Sequence, residues 1–187
     1  MDRVQSVNLT LATQSYQLLD YLSLSCRHIA LLAAMLATAG SLFFSEVLRW
    51  IPCELCWYQR ILMYPLAVIL FVGIWRDDRQ VYWYVLPLSL TGIAVSLYHY
   101  LMVMLIIPPA PCAGAVPCAF DYINLSGALS FVKIPFLALV AFVIISVMMA
   151  NMALADTPPA QGRTARITAT VIVLGTIALF VGLAMMI

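Results

Sequence analysis

Residues 52–75 read PCELCWYQRILMYPLAVILFVGIW, and the fold turns on how this stretch is taken. From Ile61 to Trp75 it holds no Asp, Glu, Lys or Arg, and it is preceded by two cysteines three positions apart and by Arg60. A helix needs about 20 apolar residues to cross the hydrocarbon core of a bilayer, so the run is long enough once its polar head is added. Four more charge-free runs follow the same rule: His28 to Ser45, Gln80 to about Ile107, Ile134 to Ala155, and Ile167 to Ile187. Five transmembrane helices are expected. The runs are continuously apolar and do not alternate in segments of about ten residues, which excludes a membrane β-barrel.

Composition agrees, with 65% hydrophobic and 9% charged residues in 187, against about 45 to 50% and about 25% in soluble domains. The chain reads as an all-α integral membrane protein with nothing left for a soluble domain. A net charge of +1 without a basic patch removes the electrostatic basis for a nucleic-acid partner. The first run lacks an A-x-A-like site and exceeds a signal-peptide core, so it is expected to stay as a signal anchor. If the N-terminus is cytoplasmic, that side carries Arg3, Arg27, Arg76, Arg79, Arg163 and Arg166, and the other carries Arg49, Arg60 and Lys133. Six against three favours that orientation. Residues 1–25 are of mixed polarity, and "DTPPAQGR" at 156–163 is the only linker-like piece.

The five cysteines then fall into place. Cys53 and Cys56 open the second helix. Cys112 and Cys118 sit in "PPAPCAGAVPCAF" (108–120), a loop that its prolines and Gly114 keep from being helical. Both pairs are expected on the side away from the cytosol, where disulfides persist. Cys26 is the leftover thiol, read as a small buried hydrophobe.

Three readings compete for the two pairs. As staples they close short rings, which restrain little of an unfolded chain. As four zinc ligands they are poorly spaced, since five residues separate Cys112 from Cys118 where structural sites use two to four. As redox chemistry the first pair is well placed: on a helix, i and i+3 share a face at about 5 to 6 Å, within disulfide reach. A helix N-terminus also favours a thiolate. No resident metal is expected.

Arg60 lies one turn past Cys56 on the same face, about 10 Å into the helix at 1.5 Å per residue. At that depth a guanidinium either snorkels to the headgroups or meets an anion beside Cys56, such as a thiolate or the reduced oxygen of a lipid-soluble carrier. A quinone fits that description. His99, in "SLYHYLMVMLII" (96–107), is expected about 12 Å from the same surface, where it either lines one pocket with Arg60 or satisfies an interhelical hydrogen bond. Trp57, Tyr58, Tyr98 and Tyr100 read as an interfacial aromatic belt, with Trp57 also a candidate for the quinone site.

Over about residues 28–155 the sequence resembles the disulfide bond formation protein B (DsbB) membrane oxidases, most closely their short-loop, BdbC-like branch. The resemblance rests on "CELCWYQR" (53–60), "SLYHY" (96–100), "PCAGAVPC" (111–118) and "DYINLSGALSFVKIPFLALVAF" (121–142). It implies a four-helix bundle in the bacterial cytoplasmic membrane that reoxidises a DsbA-like thioredoxin-fold thiol oxidase and passes the electrons to ubiquinone or menaquinone. It also implies the roles. Cys112 takes the partner's attack with Cys118 as its disulfide mate, Cys56 contacts the quinone with Cys53 beside it, and Arg60 and His99 line the quinone site. On that pattern residues 1–27 are a cytoplasmic segment, 28–155 the redox domain, 156–166 a cytoplasmic loop and 167–187 an additional helix. The second pair is closer together than in long-loop relatives, and Gln59 stands where those can carry an acid. Two alternatives remain: a quinone reductase of the vitamin K epoxide reductase type, whose active C-x-x-C lies near the end of a late helix, and a non-catalytic metal-binding membrane protein.

Overall fold

The computed structural model describes residues 25–108, 112, 116–123, 129–154 and 162–187. Residues 1–24 of the expected N-terminal segment, Gly114 and most of the 156–163 linker lie outside the described residues. Five helices account for most of the rest: α1 (Ser25–Val47), α2 (Glu54–Trp75), α3 (Tyr82–Val103), α4 (Ile134–Leu154) and α5 (Arg163–Met186). All five are long and apolar enough to span a membrane, and no strand occurs among the described residues. The protein is an all-helical, multi-pass membrane protein.

Local chemistry sets boundaries that a charge-free window misses. α2 begins seven residues before Ile61, because Cys53 caps it: its extended backbone (φ −71°, ψ 173°) lets its Sγ accept the Cys56 N–H. Glu54 then sits in the first turn, where the helix dipole welcomes an acid. α3 stops four residues short of Ile107, since Leu105 adopts φ 57° and the Leu105 and Ile106 amides turn back to Met102 and Leu101. α1 closes in a π turn, Phe43–Val47, before Arg49 at φ 58° reverses the chain. Pro65 and Pro87 lie inside α2 and α3, as apolar surroundings and neighbouring helices allow.

Cross-links give the topology. Arg27 at the start of α1 meets Asp77 after α2, while Ser41 near the end of α1 meets Arg60 and Tyr64 at the start of α2. The two helices are therefore antiparallel. His28 Nε2 donates to the Ala165 carbonyl, and Phe43 meets Phe180 edge-on, so α5 runs parallel to α1. α3 packs chiefly against α4 and α2. At its centre a Cβ on Gly92 would lie 2.3 Å from the Phe142 ring, so only glycine admits this closeness. Ser146 donates to Ser89 across the same buried seam at 2.8 Å. α5 is peripheral and buries only Ala165, Ala169 and Thr176.

One reading is refined here. Arg27, counted above among the cytoplasmic-side cations and the 1–27 segment, lies in the first turn of α1, is 1% exposed, and pairs with Asp77 at 3.0 Å and with the Asp78 carbonyl. A charge taken out of water needs such partners, and the acidic turn supplies them.

Candidate functional site

The site lies at the end of the bundle where α2 begins. Cys53 and Cys56 are free thiols with sulfurs 2.7 Å apart, so a disulfide between them needs no backbone movement. The helix cap that starts α2 is thus also a sulfur held in place by a backbone amide. Cys53 is 5% exposed, and its Sγ further lies 3.6 Å from His99 Nε2. The Cys56 thiol hydrogen bond, the His99 N–H and the Cys56 amide together pull the Cys53 thiol down to about 5, against the opposing effect of burial.

Cys112 and Cys118 are joined in a disulfide, with Cα atoms 6.1 Å apart. Cys118 is buried and packs with Cys53 and Met102, whereas Cys112 is only partly buried. His99 ties the two pairs together. Its Nε2–H donates to the Cys118 carbonyl at 3.0 Å, and its Nδ1 accepts from the buried Gln59 amide at 3.3 Å. With these partners the proton sits on Nε2. The loop is anchored again beyond Cys118. Lys133 is ion-paired with Asp121 and donates to the Ile123 carbonyl, while Tyr122 donates to the Ile51 carbonyl and stacks on Trp50.

Two cavities flank the dithiol. The larger, about 190 Å³, lies between α1, α2 and α4 and is walled mostly by apolar side chains, including Met63, Leu137 and Phe142. Its polar rim holds Ser41, Cys56, Gln59, Arg60, Tyr64 and Tyr122. It far exceeds the roughly 30 Å³ of a water molecule. The smaller, about 20 Å³, is lined by Cys53, Cys56, His99, Asp121 and Tyr122 among others. Cys56 faces both; Cys53 and His99 face only the smaller one.

Arg60 and His99, expected to line one pocket, therefore stand on opposite sides of Cys56. Depth along a helix gives height in the membrane but not the direction a side chain takes around the axis. Arg60 donates to the Ser41 carbonyl at 3.1 Å, its guanidinium lies 5.2 Å from the Trp57 ring centre, and it forms no ion pair among the described residues. Trp57 is half exposed and lines neither cavity. Its ring meets the site through Arg60, and its backbone N–H donates to the Cys53 carbonyl. Ser41, Trp50 and Tyr122 are additions that sequence reasoning did not single out, and Gln59, noted there only as a departure from long-loop relatives, joins them. For Gln59 a signal existed, since it is a polar residue three positions past Cys56 and so on its face. The others come from a helix end and two loops, where no periodicity marks them.

Chemically, the arrangement offers a dithiol poised between a loop disulfide and an apolar cavity that contains one cation without a carboxylate partner. Such a cavity suits an apolar molecule that gains negative charge when reduced.

Comparison with known proteins follows the same lines. The family profile described as Disulfide bond formation protein DsbB matches residues 24–155. The chain is 48% identical over 120 residues to Disulfide bond formation protein C of Bacillus subtilis, covering 62% of this chain and 83% of that one. It is 53% identical over 116 residues to Probable disulfide formation protein C of Halalkalibacterium halodurans, covering 61% and 82%. To a Probable disulfide formation protein of Metapseudomonas resinovorans it is 40% identical over 121 residues, covering 63% and 82%. No solved structure matches.

Proposed function

Since the chain belongs to the DsbB family of membrane disulfide bond formation proteins, we propose that it reoxidises a DsbA-like thioredoxin-fold oxidase and passes the electrons to a membrane quinone. The observation that best supports this is that Cys56 shares the large apolar cavity with Arg60, while Cys53 packs against Cys118. Only Cys56 of the dithiol reaches the large cavity, while Cys53 is the more deeply buried member beside the loop disulfide.

The steps follow from burial. A partner thiolate attacks Cys112, the more exposed loop sulfur; the Cys112–Cys118 bond breaks and Cys118 leaves as thiolate. The partner's second thiol resolves the mixed disulfide and departs oxidised, leaving both loop cysteines reduced. Cys118 then attacks Cys53 of an oxidised Cys53–Cys56 pair, expelling Cys56 as thiolate on the cavity side. Cys112 resolves the Cys53–Cys118 bond, restoring the loop disulfide and leaving Cys53 and Cys56 reduced. Re-forming the Cys53–Cys56 bond releases two electrons and two protons. A quinone held in the large cavity beside Cys56 would supply the acceptor for both. Arg60 holds the negative charge that develops beside Cys56, the apolar walls exclude water, and His99 steadies the Cys53 thiolate while holding the loop against it.

We place residues 28–155 as the redox domain and 167–187 as an additional helix, in the bacterial cytoplasmic membrane with a cytoplasmic N-terminus and both pairs on the exported side. The arginine distribution supports that orientation. The function is tested by anaerobic titration of the purified protein with ubiquinone or menaquinone and a reduced thioredoxin-fold oxidase, following quinone absorbance. Beyond the equivalents supplied by the preformed disulfides, one quinone reduced per partner disulfide formed is expected; repeated turnover of the partner with no quinone consumed would refute the reading.

A further inference from the structure

The smaller cavity has a property that the electron relay does not use. Two sulfurs and an imidazole nitrogen, from Cys53, Cys56 and His99, converge on it with all three atoms within 4.8 Å of one another. Its volume, about 20 Å³, suffices for one ion or water. Cys53 and His99 are at least nine-tenths buried. We propose that the reduced Cys53–Cys56 dithiol and His99 form a site for a thiolate- and imidazole-preferring divalent cation, Zn²⁺ or Cd²⁺, which holds the protein in its reduced form.

The distances fit. Tetrahedral zinc with Zn–S of about 2.3 Å and Zn–N of about 2.0 to 2.1 Å puts sulfur and nitrogen about 3.6 Å apart and two sulfurs about 3.8 Å apart. Cys53 Sγ and His99 Nε2 already stand at 3.6 Å, and the 2.7 Å between the sulfurs widens by rotation of the partly buried Cys56 side chain. To ligate through Nε2, His99 must carry its proton on Nδ1. Gln59 accommodates this, because turning its amide presents an oxygen to Nδ1 in place of the NH₂ group. A buried glutamine behind the imidazole is therefore the outer-shell partner that metal-binding histidines use. Asp121 faces the same cavity and adds negative charge, though it is paired with Lys133.

This site differs from the four-cysteine arrangement considered from the sequence, since Cys112 and Cys118 are bonded to each other. It exists only when the first pair is reduced, because the Cys53–Cys56 disulfide has no thiolate to offer. Binding displaces up to two thiol protons and moves no electrons. Binding stands on the ligand geometry alone; only its consequence, slower turnover, rests on the redox function proposed above.

The test uses the full chain, reduced, freed of reductant and kept anaerobic, with Co²⁺ as a spectroscopic stand-in for Zn²⁺. One Co²⁺ per chain with sulfur-to-cobalt charge-transfer and tetrahedral d–d bands is expected, displaced by Zn²⁺ and absent from the oxidised protein. His99→Ala should weaken binding about 10- to 100-fold, and a Cys112→Ala, Cys118→Ala double variant should retain it. Binding that survives oxidation, is unmoved by His99→Ala, or vanishes in the double variant would overturn the site. Zn²⁺ should also slow quinone reduction over the range in which it displaces Co²⁺. If the bands appear but the zinc-free protein reduces no quinone, the cation site stands and the redox function fails.

Discussion

The two sides of the Cys53–Cys56 pair are built on opposite principles. Toward the bundle, Cys56 meets a large apolar cavity in which the one lining cation among the described residues, Arg60, has a carbonyl and an aromatic ring for neighbours and, among those residues, no carboxylate partner. Toward the loop, Cys53 meets a small and densely bonded space, where His99 has a partner on each nitrogen and Lys133 is paired with Asp121. A fully satisfied polar network rigidifies, and it holds the loop disulfide against Cys53. An unsatisfied cation in apolar surroundings is costly unless an anion arrives. Arg27, at the other end of the bundle, is the internal control: it is buried more deeply than the partly buried Arg60, and Asp77 neutralises it. The difference between the two arginines separates a structural charge from one held ready for chemistry.

The largest expected effect severs the loop side altogether. Cys112→Ser should reduce turnover of the partner oxidase to background, yet leave Cys53–Cys56 reoxidisable by quinone when it is reduced chemically. Parental turnover in this variant would put the partner's attack elsewhere.

Next comes the cavity side. Arg60→Met keeps the bulk but removes the charge, and should weaken apparent quinone affinity or turnover by roughly 1 to 3 kcal/mol, about 5- to 150-fold. Arg60→Lys should fall between, keeping charge without the planar fork. Single-turnover oxidation of the partner, which needs only preformed disulfides, is the control and should not change. Wild-type quinone kinetics in Arg60→Met would return this arginine to a headgroup anchor.

A smaller effect belongs to His99. With the Cys53 thiol at about 5, the reduced protein should be alkylated at Cys53 with a half-maximal rate near that pH, because the reactive thiolate forms as pH rises through the pKa. His99→Ala removes one donor to that thiolate and should raise the midpoint by roughly one unit, about 1.4 kcal/mol. Iodoacetamide rates measured with a chelator present would show it. An unchanged midpoint would mean that the Cys56 contacts alone set the acidity. Smallest of all is Ser146→Ala, which breaks the Ser146–Ser89 bond away from both sides. It should cost about 0.6 kcal/mol in thermal stability and alter neither quinone affinity nor the alkylation midpoint.

The spans were legible because lipid forbids unpaired charge over a fixed length, and all five stand where the charge-free runs lie. The ends were less so. A helix N-terminus accepts polar residues, which is why α2 takes in Glu54 to Arg60, and a single left-handed residue, Leu105, ends α3 early. Of the candidate site, the cysteines announced themselves by spacing, and Arg60 by lying too deep for its charge. The partition of Arg60 and His99 between two cavities was hidden, because it depends on how α2 and α3 are rotated against each other. Tyr122 and Trp50 were hidden too, because stacking between loops leaves no periodic trace. Gln59 was visible as a polar residue in a span, but its purpose emerges only with His99 beside it.

The division of the dithiol itself is tested most directly by mapping disulfides in two single variants, purified, incubated anaerobically, acid-quenched and digested without reduction. In Cys56→Ser, Cys53 is left alone against the loop disulfide. Exchange should then give Cys53 bonded to Cys118, with Cys112 as the released thiol. In Cys53→Ser, Cys56 faces the cavity and should remain free while Cys112–Cys118 stays intact. A Cys56–Cys118 bond forming in Cys53→Ser as readily as the Cys53–Cys118 bond forms in Cys56→Ser would contradict the account.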